Sequence, residues 1–121
     1  MGSFQKLEDL EVWKKACRFA VDIYKFSMQE GIEKDWGLRD QIRRSAISIP
    51  SNIAEGFERD SNNEFKRFLT IAKGSCGELR TQLLIIKALD IIPKESINIL
   101  ISDCVEISSM IQGLMKYIKT L

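Results

Sequence analysis

The side chains best suited to chemistry are Glu55 and Glu58, three residues apart on one predicted helix, and Glu78 on the next. Carboxylates on facing helices can hold two metal ions inside a bundle, but such sites draw on Glu-x-x-His motifs. The chain has no histidine, which removes the usual ligand and the commonest general base. Cysteine offers no substitute. Cys17, Cys76 and Cys104 are far apart, odd in number and outside any CxxC pattern, so neither a zinc site nor a disulfide framework is expected. They read as reduced thiols packed among apolar residues, which suits a reducing, cytoplasmic compartment. Serines are frequent, yet no G-x-S-x-G elbow is present. The glycines form no phosphate-cradling loop after a strand. The sequence therefore predicts no catalytic residue, no cofactor and no metal site, and a protein that is not an enzyme.

Two polar groupings remain. Arg44, Ser48, Asn52 (or Ser51), Glu55 and Arg59 fall at spacings of three and four, so they share one helical face. Small polar residues there would admit a close neighbour. The stripe is expected to be partly buried, with its charges paired across helices or subunits, because unpaired buried charge costs several kcal/mol; a solvated face is the alternative. The second grouping is basic. Arg39, Arg43, Lys66, Arg67, Lys73 and Arg80, beside Arg44, are candidate nucleic-acid contacts, but Asp40, Glu58, Asp60 and Glu64 interrupt them. Phosphate contact needs the cations clustered on one surface.

Helices must position all of these. Helix one is predicted over about 7–28. Leu10, Trp13, Cys17, Ala20, Tyr24 and Ser27 form one apolar row, and Val12, Ala16, Phe19, Ile23 and Phe26 a second. Two rows exceed what one antiparallel neighbour covers. Either the helix is central in its bundle or the second row faces another subunit. Gly31 is the expected stop and Asp35 the N-cap of helix two. Helix two spans about 36–58 with its apolar row at Leu38, Ile42, Ser45, Ile49, Ile53 and Phe57. Pro50 falls inside it, removing a hydrogen bond at a cost of ~3 kcal/mol. A single helix kinked at Pro50 is predicted, two shorter helices broken near Ile49 being the alternative. Ser61-Asn62-Asn63-Glu64 reads as a capping box that starts helix three, about 62–89. Its main row is Phe65, Phe68, Ala72, Cys76, Leu79, Leu83 and Ile86; Ile71, Gly74, Glu78, Ile85 and Leu89 lie beside it. Gly74 and Gly77 in mid-helix predict close approach of another helix, or else tolerated weakness. Pro93 sits near the start of helix four, about 94–119, whose row is Ile97, Ile101, Cys104, Ile107 or Ser108, Ile111, Met115 and Ile118.

The fold class is thus all-α, an antiparallel up-down four-helix bundle of long helices in a single domain over 1–121. At 121 residues, 45% apolar and 29% charged, the chain can bury a core without disulfides. Lysine plus arginine number 18 and aspartate plus glutamate 17, a smaller positive excess than dedicated nucleic-acid binders carry. The segment Met1-Gly2-Ser3-Phe4-Gln5-Lys6 has no signal-peptide core. No apolar run approaches the ~20 residues of a membrane span, so no membrane partner is expected.

Several strings together resemble a known family. They are Leu10-x-x-Trp13-x-x-Ala16, Gly37-Leu38-x-x-Gln41-Ile42-Arg43-Arg44-Ser45-Ala46, Ser48-Ile49-Pro50-Ser51-Asn52-Ile53-Ala54-Glu55-Gly56, and Phe65-x-x-Phe68-Leu69-x-x-Ala72-x-Gly74-Ser75-x-x-Glu78-Leu79. The chain resembles the bacterial 23S rRNA intervening-sequence proteins nearly from end to end. It departs at Gly31-Ile32-Glu33-Lys34-Asp35-Trp36, where a Pro-containing segment ending in Tyr-Gly is more usual. The resemblance implies an antiparallel four-helix bundle assembling as a ring-like homopentamer, and genes that can lie within insertions in large-subunit ribosomal RNA genes. A similar bundle, the accessory protein of diversity-generating retroelements, is a basic pentamer that binds nucleic acid and a reverse transcriptase; the near-neutral charge here sets this chain apart.

The function expected is therefore that of a homo-oligomeric interaction protein, with RNA or an RNA-handling protein as a further partner. Val12, Phe19, Ile23 and Phe26 of helix one, with Ile71, Gly74 and Ile85 of helix three, are the surface expected to meet another subunit.

Overall fold

The computed structural model describes residues 6–119; the N-terminal expectation over Met1 to Gln5 lies outside them. A single turn of 3-10 helix, Leu7–Asp9, precedes four α-helices: α1 Glu11–Ser27, α2 Trp36–Glu58, α3 Asn62–Leu89 and α4 Lys94–Lys119. The described residues contain no strand. Each helix packs on the next in sequence, and α4 returns to α1 to close the bundle; the α2–α3 seam is the most extensive and the α1–α4 seam the slightest. Side-chain pairs fix the antiparallel register. Arg43 of α2 meets Ser27 of α1, Ser48 of α2 meets Ser75 of α3, Cys104 of α4 meets Cys76 of α3, and Lys15 of α1 meets Asp103 and Glu106 of α4.

Three helix boundaries follow from local chemistry. Asp35 caps α2, its carboxylate accepting from the Leu38 amide at 3.2 Å. Ser61 caps α3, accepting from the Glu64 amide at 3.3 Å. The Glu64 carboxylate is engaged by Arg67 and Arg59, so the reciprocal half of the expected capping box gives way to ion pairs. Asp90 closes α3 in the left-handed conformation at φ 57.

Helix one differs from expectation in where it starts and in the role of Gly31. Leu10 leaves the helix in an extended conformation and is buried, so the chain turns there to place its side chain in the core. Asp9 accepts from the Lys6 amide at 3.1 Å and closes the preceding turn. At the other end α1 stops at Ser27, before Gly31. Gly31 serves a later turn at φ +102, against the Ile91 carbonyl. It docks the α1–α2 loop, with its buried Ile32, onto the α3–α4 loop.

Helix α2 is unbroken through Pro50, which excludes the alternative of two helices broken near Ile49. Pro50 is buried, so the ring lies among apolar neighbours while its lost hydrogen bond frees the Ala46 carbonyl.

The core runs the length of the bundle and takes in the predicted rows of α2, α3 and α4. In α1 the two rows exchange roles. Val12, Phe19, Ile23 and Phe26, expected at a subunit interface, are buried within the chain itself, while Trp13, Cys17 and Tyr24 are only half-buried. The reason is geometric: α1 packs against both α2 and α4, so both rows find neighbours inside one subunit. By length and hydropathy α4 is the one described helix that meets the criterion for crossing a membrane, which amends the expectation that no segment approaches it. In the bundle its Ile97, Cys104, Ile107 and Ile111 face the core.

The close approach of helices expected at Gly74 and Gly77 falls elsewhere. A methyl at either position would meet nothing within 4 Å, whereas at Gly56 it would lie 2.7 Å from Phe68 Cβ and 3.2 Å from the Phe65 carbonyl. Glycine in an open helical position costs about 1 kcal/mol relative to alanine. Gly74→Ala and Gly77→Ala should therefore each raise the stability of the isolated subunit by about 1 kcal/mol, measured by urea denaturation at concentrations where the chain is monomeric.

Candidate interaction surfaces along α3

The two sides of α3 carry different chemistry. On the side toward α2 a polar seam is built from the predicted stripe. Ser48 Oγ and Ser75 Oγ are 2.7 Å apart. Asn52 Nδ2 donates to the Ser48 carbonyl at 2.8 Å and to its hydroxyl at 3.0 Å. Ser75 can also donate to the Ile71 carbonyl, at 3.3 Å. Ser48 and Asn52 are half-buried and Ser75 is buried, so their polar groups need these partners. Small side chains at this level let the two helices meet through hydroxyls.

Below the hydroxyls the seam becomes ionic. Arg59 pairs with Glu55 at 2.8 Å and reaches Glu64 at 3.5 Å, and Arg67 meets Glu64 at 3.0 Å. Both guanidiniums lie over the Phe68 ring, at 5.0 and 4.7 Å from its centroid. The Glu55 hydrogen bond raises the Arg59 pKa above its ordinary value. These ions are about half exposed, so each pair adds little stability, and their effect is to orient the chain entering α3. Arg44, the first residue of the stripe, is exposed and stands apart from this network. Above the seam, Ile71, Ile85 and Leu89 of α3 are 42%, 52% and 54% exposed, on the same helical side as Gly74 and Glu78.

On the side toward α4 the surface is basic. Lys66, Lys73 and Arg80 recur every seven residues, and Lys87 continues the series. Sequence reasoning passed over Lys87, although the interval would have found it. A cleft of about 260 Å³ opens here, lined by Lys73, Cys76, Gly77, Arg80, Cys104, Val105, Ser108 and Ser109. No carboxylate lines it. Asp103 and Glu106 of α4 turn instead toward Lys15 of α1, at 3.9 and 3.3 Å.

The six candidate nucleic-acid contacts therefore do not form one patch. Arg39 donates to the Glu33 carbonyl at 3.2 Å and approaches Asp40. Arg43 donates to Ser27 Oγ at 2.7 Å and covers the Tyr24 ring at 4.8 Å. Both are bound into the α1–α2 side. Arg67 belongs to the α2–α3 ion network. Only Lys66, Lys73 and Arg80 share a face. Among the described residues no group of three or more Cys, Asp or Glu is placed to hold a metal ion.

This is the architecture of an all-α four-helix-bundle protein with two unlike long surfaces on one helix. Residues 8–113 match the family model of the 23S rRNA-intervening sequence proteins, and the chain belongs to that family. It is similar to a solved structure from Bacteroides thetaiotaomicron, described as a protein of unknown function from the S23 ribosomal protein family. The two are 30% identical with a TM-score of 0.79, over 87% of this chain and 98% of that one. No curated protein matches the chain.

Proposed function

We propose that the protein is a non-enzymatic interaction protein of the bacterial cytoplasm that assembles with copies of itself, as a pentamer. The observation that supports this is the exposed run of Ile71, Ile85 and Leu89 beside Gly74 on α3. Burying such area is favourable by about 25 cal/mol per Å², and the open glycine lets a neighbouring helix come close. Of the residues expected at the subunit interface, those of α1 are in the core and those of α3 remain exposed, so this side of α3 supplies one half of each junction, and a ring draws its other half from a second surface of the neighbouring subunit. Sedimentation of the purified chain at micromolar concentration tests the reading: a pentamer is expected, and a strict monomer overturns it.

A second reading, binding of RNA as an accessory to an RNA-handling protein, is favoured by the α4 side of α3. Among the described residues Lys66, Lys73, Arg80 and Lys87 make no ion pair there, and the cleft beside them presents serine hydroxyls without a carboxylate. Affinity for single-stranded ribosomal RNA fragments should fall with salt at a slope of about −0.7 per phosphate neutralised. Lys73→Ala with Arg80→Ala should reduce that slope by about 0.7 per cation removed, whereas Arg39→Ala should leave it unchanged. A salt-independent or absent signal rules the reading out.

A further inference from the structure

The α3–α4 seam holds a pair of thiols that neither the bundle nor either reading above requires. Cys104 Sγ donates to the Cys76 carbonyl at 3.2 Å, so one sulfur already rests against the residue that bears the other. Both side chains are buried from the bundle surface, yet both line the cleft between Lys73, Arg80, Ser108 and Ser109. The third cysteine, Cys17, sits half-buried on α1 and lines no part of that cleft. Two cysteines that line one small opening with cations at its rim, the sulfur of one against the backbone of the other, have the makings of a redox pair. A disulfide needs Cβ atoms roughly 3.5–4.5 Å apart, and the Cys104 sulfur already touches the backbone of Cys76.

We propose that Cys76 and Cys104 are a dithiol that a hydroperoxide converts to an intramolecular disulfide, the Lys73–Arg80 cleft admitting the oxidant. Their electrostatics divide the roles. Side-chain hydrogen bonding with Cys76 lowers the pKa of Cys104 against the opposing effect of burial, Arg80 helping and Asp103 opposing. The same hydrogen bond, with burial, pushes Cys76 far up, Lys73 acting weakly the other way. Cys104 is the attacking sulfur in the proposed step. Its sulfur attacks one peroxide oxygen, the O–O bond breaks, and the other oxygen leaves as alcohol or water with the thiol proton. The Cys104 sulfenic acid so formed is attacked by Cys76 sulfur; the S–O bond breaks and water leaves with the second proton. In sum, two thiols and one hydroperoxide give a disulfide, an alcohol and a water. A small thiol reductant reverses the step by exchange. The bond would tie α3 to α4 directly beneath the basic stripe.

The test uses the folded full-length chain and hydrogen peroxide. After treatment, unfolding and alkylation, two of the three thiols should be lost to alkylation, with peptide mapping joining Cys76 to Cys104 within one chain. Dithiothreitol should restore both. Cys17→Ser should keep the reaction. Cys76→Ser should instead trap a dimedone-reactive sulfenic acid at Cys104, and Cys104→Ser should give less adduct at Cys76. The same treatment in urea should spread the linkage over all three cysteines. Three thiols still alkylated after peroxide, or cross-links formed only between chains through Cys17, overturn the proposal.

Discussion

Replacing Gly56 with alanine should destabilise the protein by about 1–3 kcal/mol, although alanine is the better helix former. The intrinsic gain from glycine to alanine is about 1 kcal/mol. Against it stands a methyl placed 2.7 Å from Phe68 Cβ, with Phe65 Cδ1 and the Phe65 carbonyl at 3.2 Å. Two of these obstacles, the Cβ and the carbonyl, are tied to the backbone, so no rotamer change relieves them. The helices must separate, and separation loosens everything else at that level. Phe57 meets Phe65 edge-on at 5.9 Å, and the Ser48–Ser75 contact lies further along the same seam. Valine at Gly56 should cost more, because its branches enter the same space. The measurement is a urea midpoint at constant m-value. Gly74→Ala gives the internal comparison, since the same substitution in the same bundle should act with opposite sign. An alanine at Gly56 that is neutral or stabilising would show that α2 and α3 do not meet there.

That contrast also marks what the sequence could and could not reveal. The bounds of α2, α3 and α4 were legible because their apolar rows stay in phase and because Asp35 and Ser61 announce the starts. Helix α1 was overextended because Leu10 continues the apolar spacing while its backbone is extended. Periodicity identifies apolar residues without saying which neighbour covers them, so the row from Val12 to Phe26 was assigned outward when two helices of the same chain already enclose it. Glycine poses the same problem more sharply. Gly56, Gly74 and Gly77 are identical as letters, and only the distance to the facing helix separates a required glycine from a tolerated one. The basic residues were a matter of angle. Lys66 and Arg67 are neighbours in sequence but lie toward α4 and toward the α2–α3 ion network respectively. Cys76 and Cys104 are brought together by the α3–α4 turn, a contact that their separation in the chain does not signal.

Replacing Ile71 and Ile85 together with aspartate should abolish the proposed self-assembly and leave a folded monomer. Central interface anchors cost about 2 kcal/mol or more each when truncated. Two of them, with charges in place of methyls, should weaken each contact by about a thousandfold or more at 1.4 kcal/mol per tenfold. In the proposed ring every subunit would use the surface, so the loss would recur at each junction. Within the subunit the change should be nearly silent. Both side chains project outward and lie outside the core cluster, and exposed substitutions of this kind fall within about 0.5 kcal/mol. Sedimentation reads the mass, and thermal unfolding of dilute protein reads the fold. Phe19→Asp supplies the opposing case. It lies in the core of the subunit, so charge there should unfold the chain at any concentration. A double aspartate variant that still sediments as an oligomer moves the contact off this side of α3. The basic side toward α4 would then be the next surface to test, because it is the other face of the same helix that the bundle leaves without an internal partner.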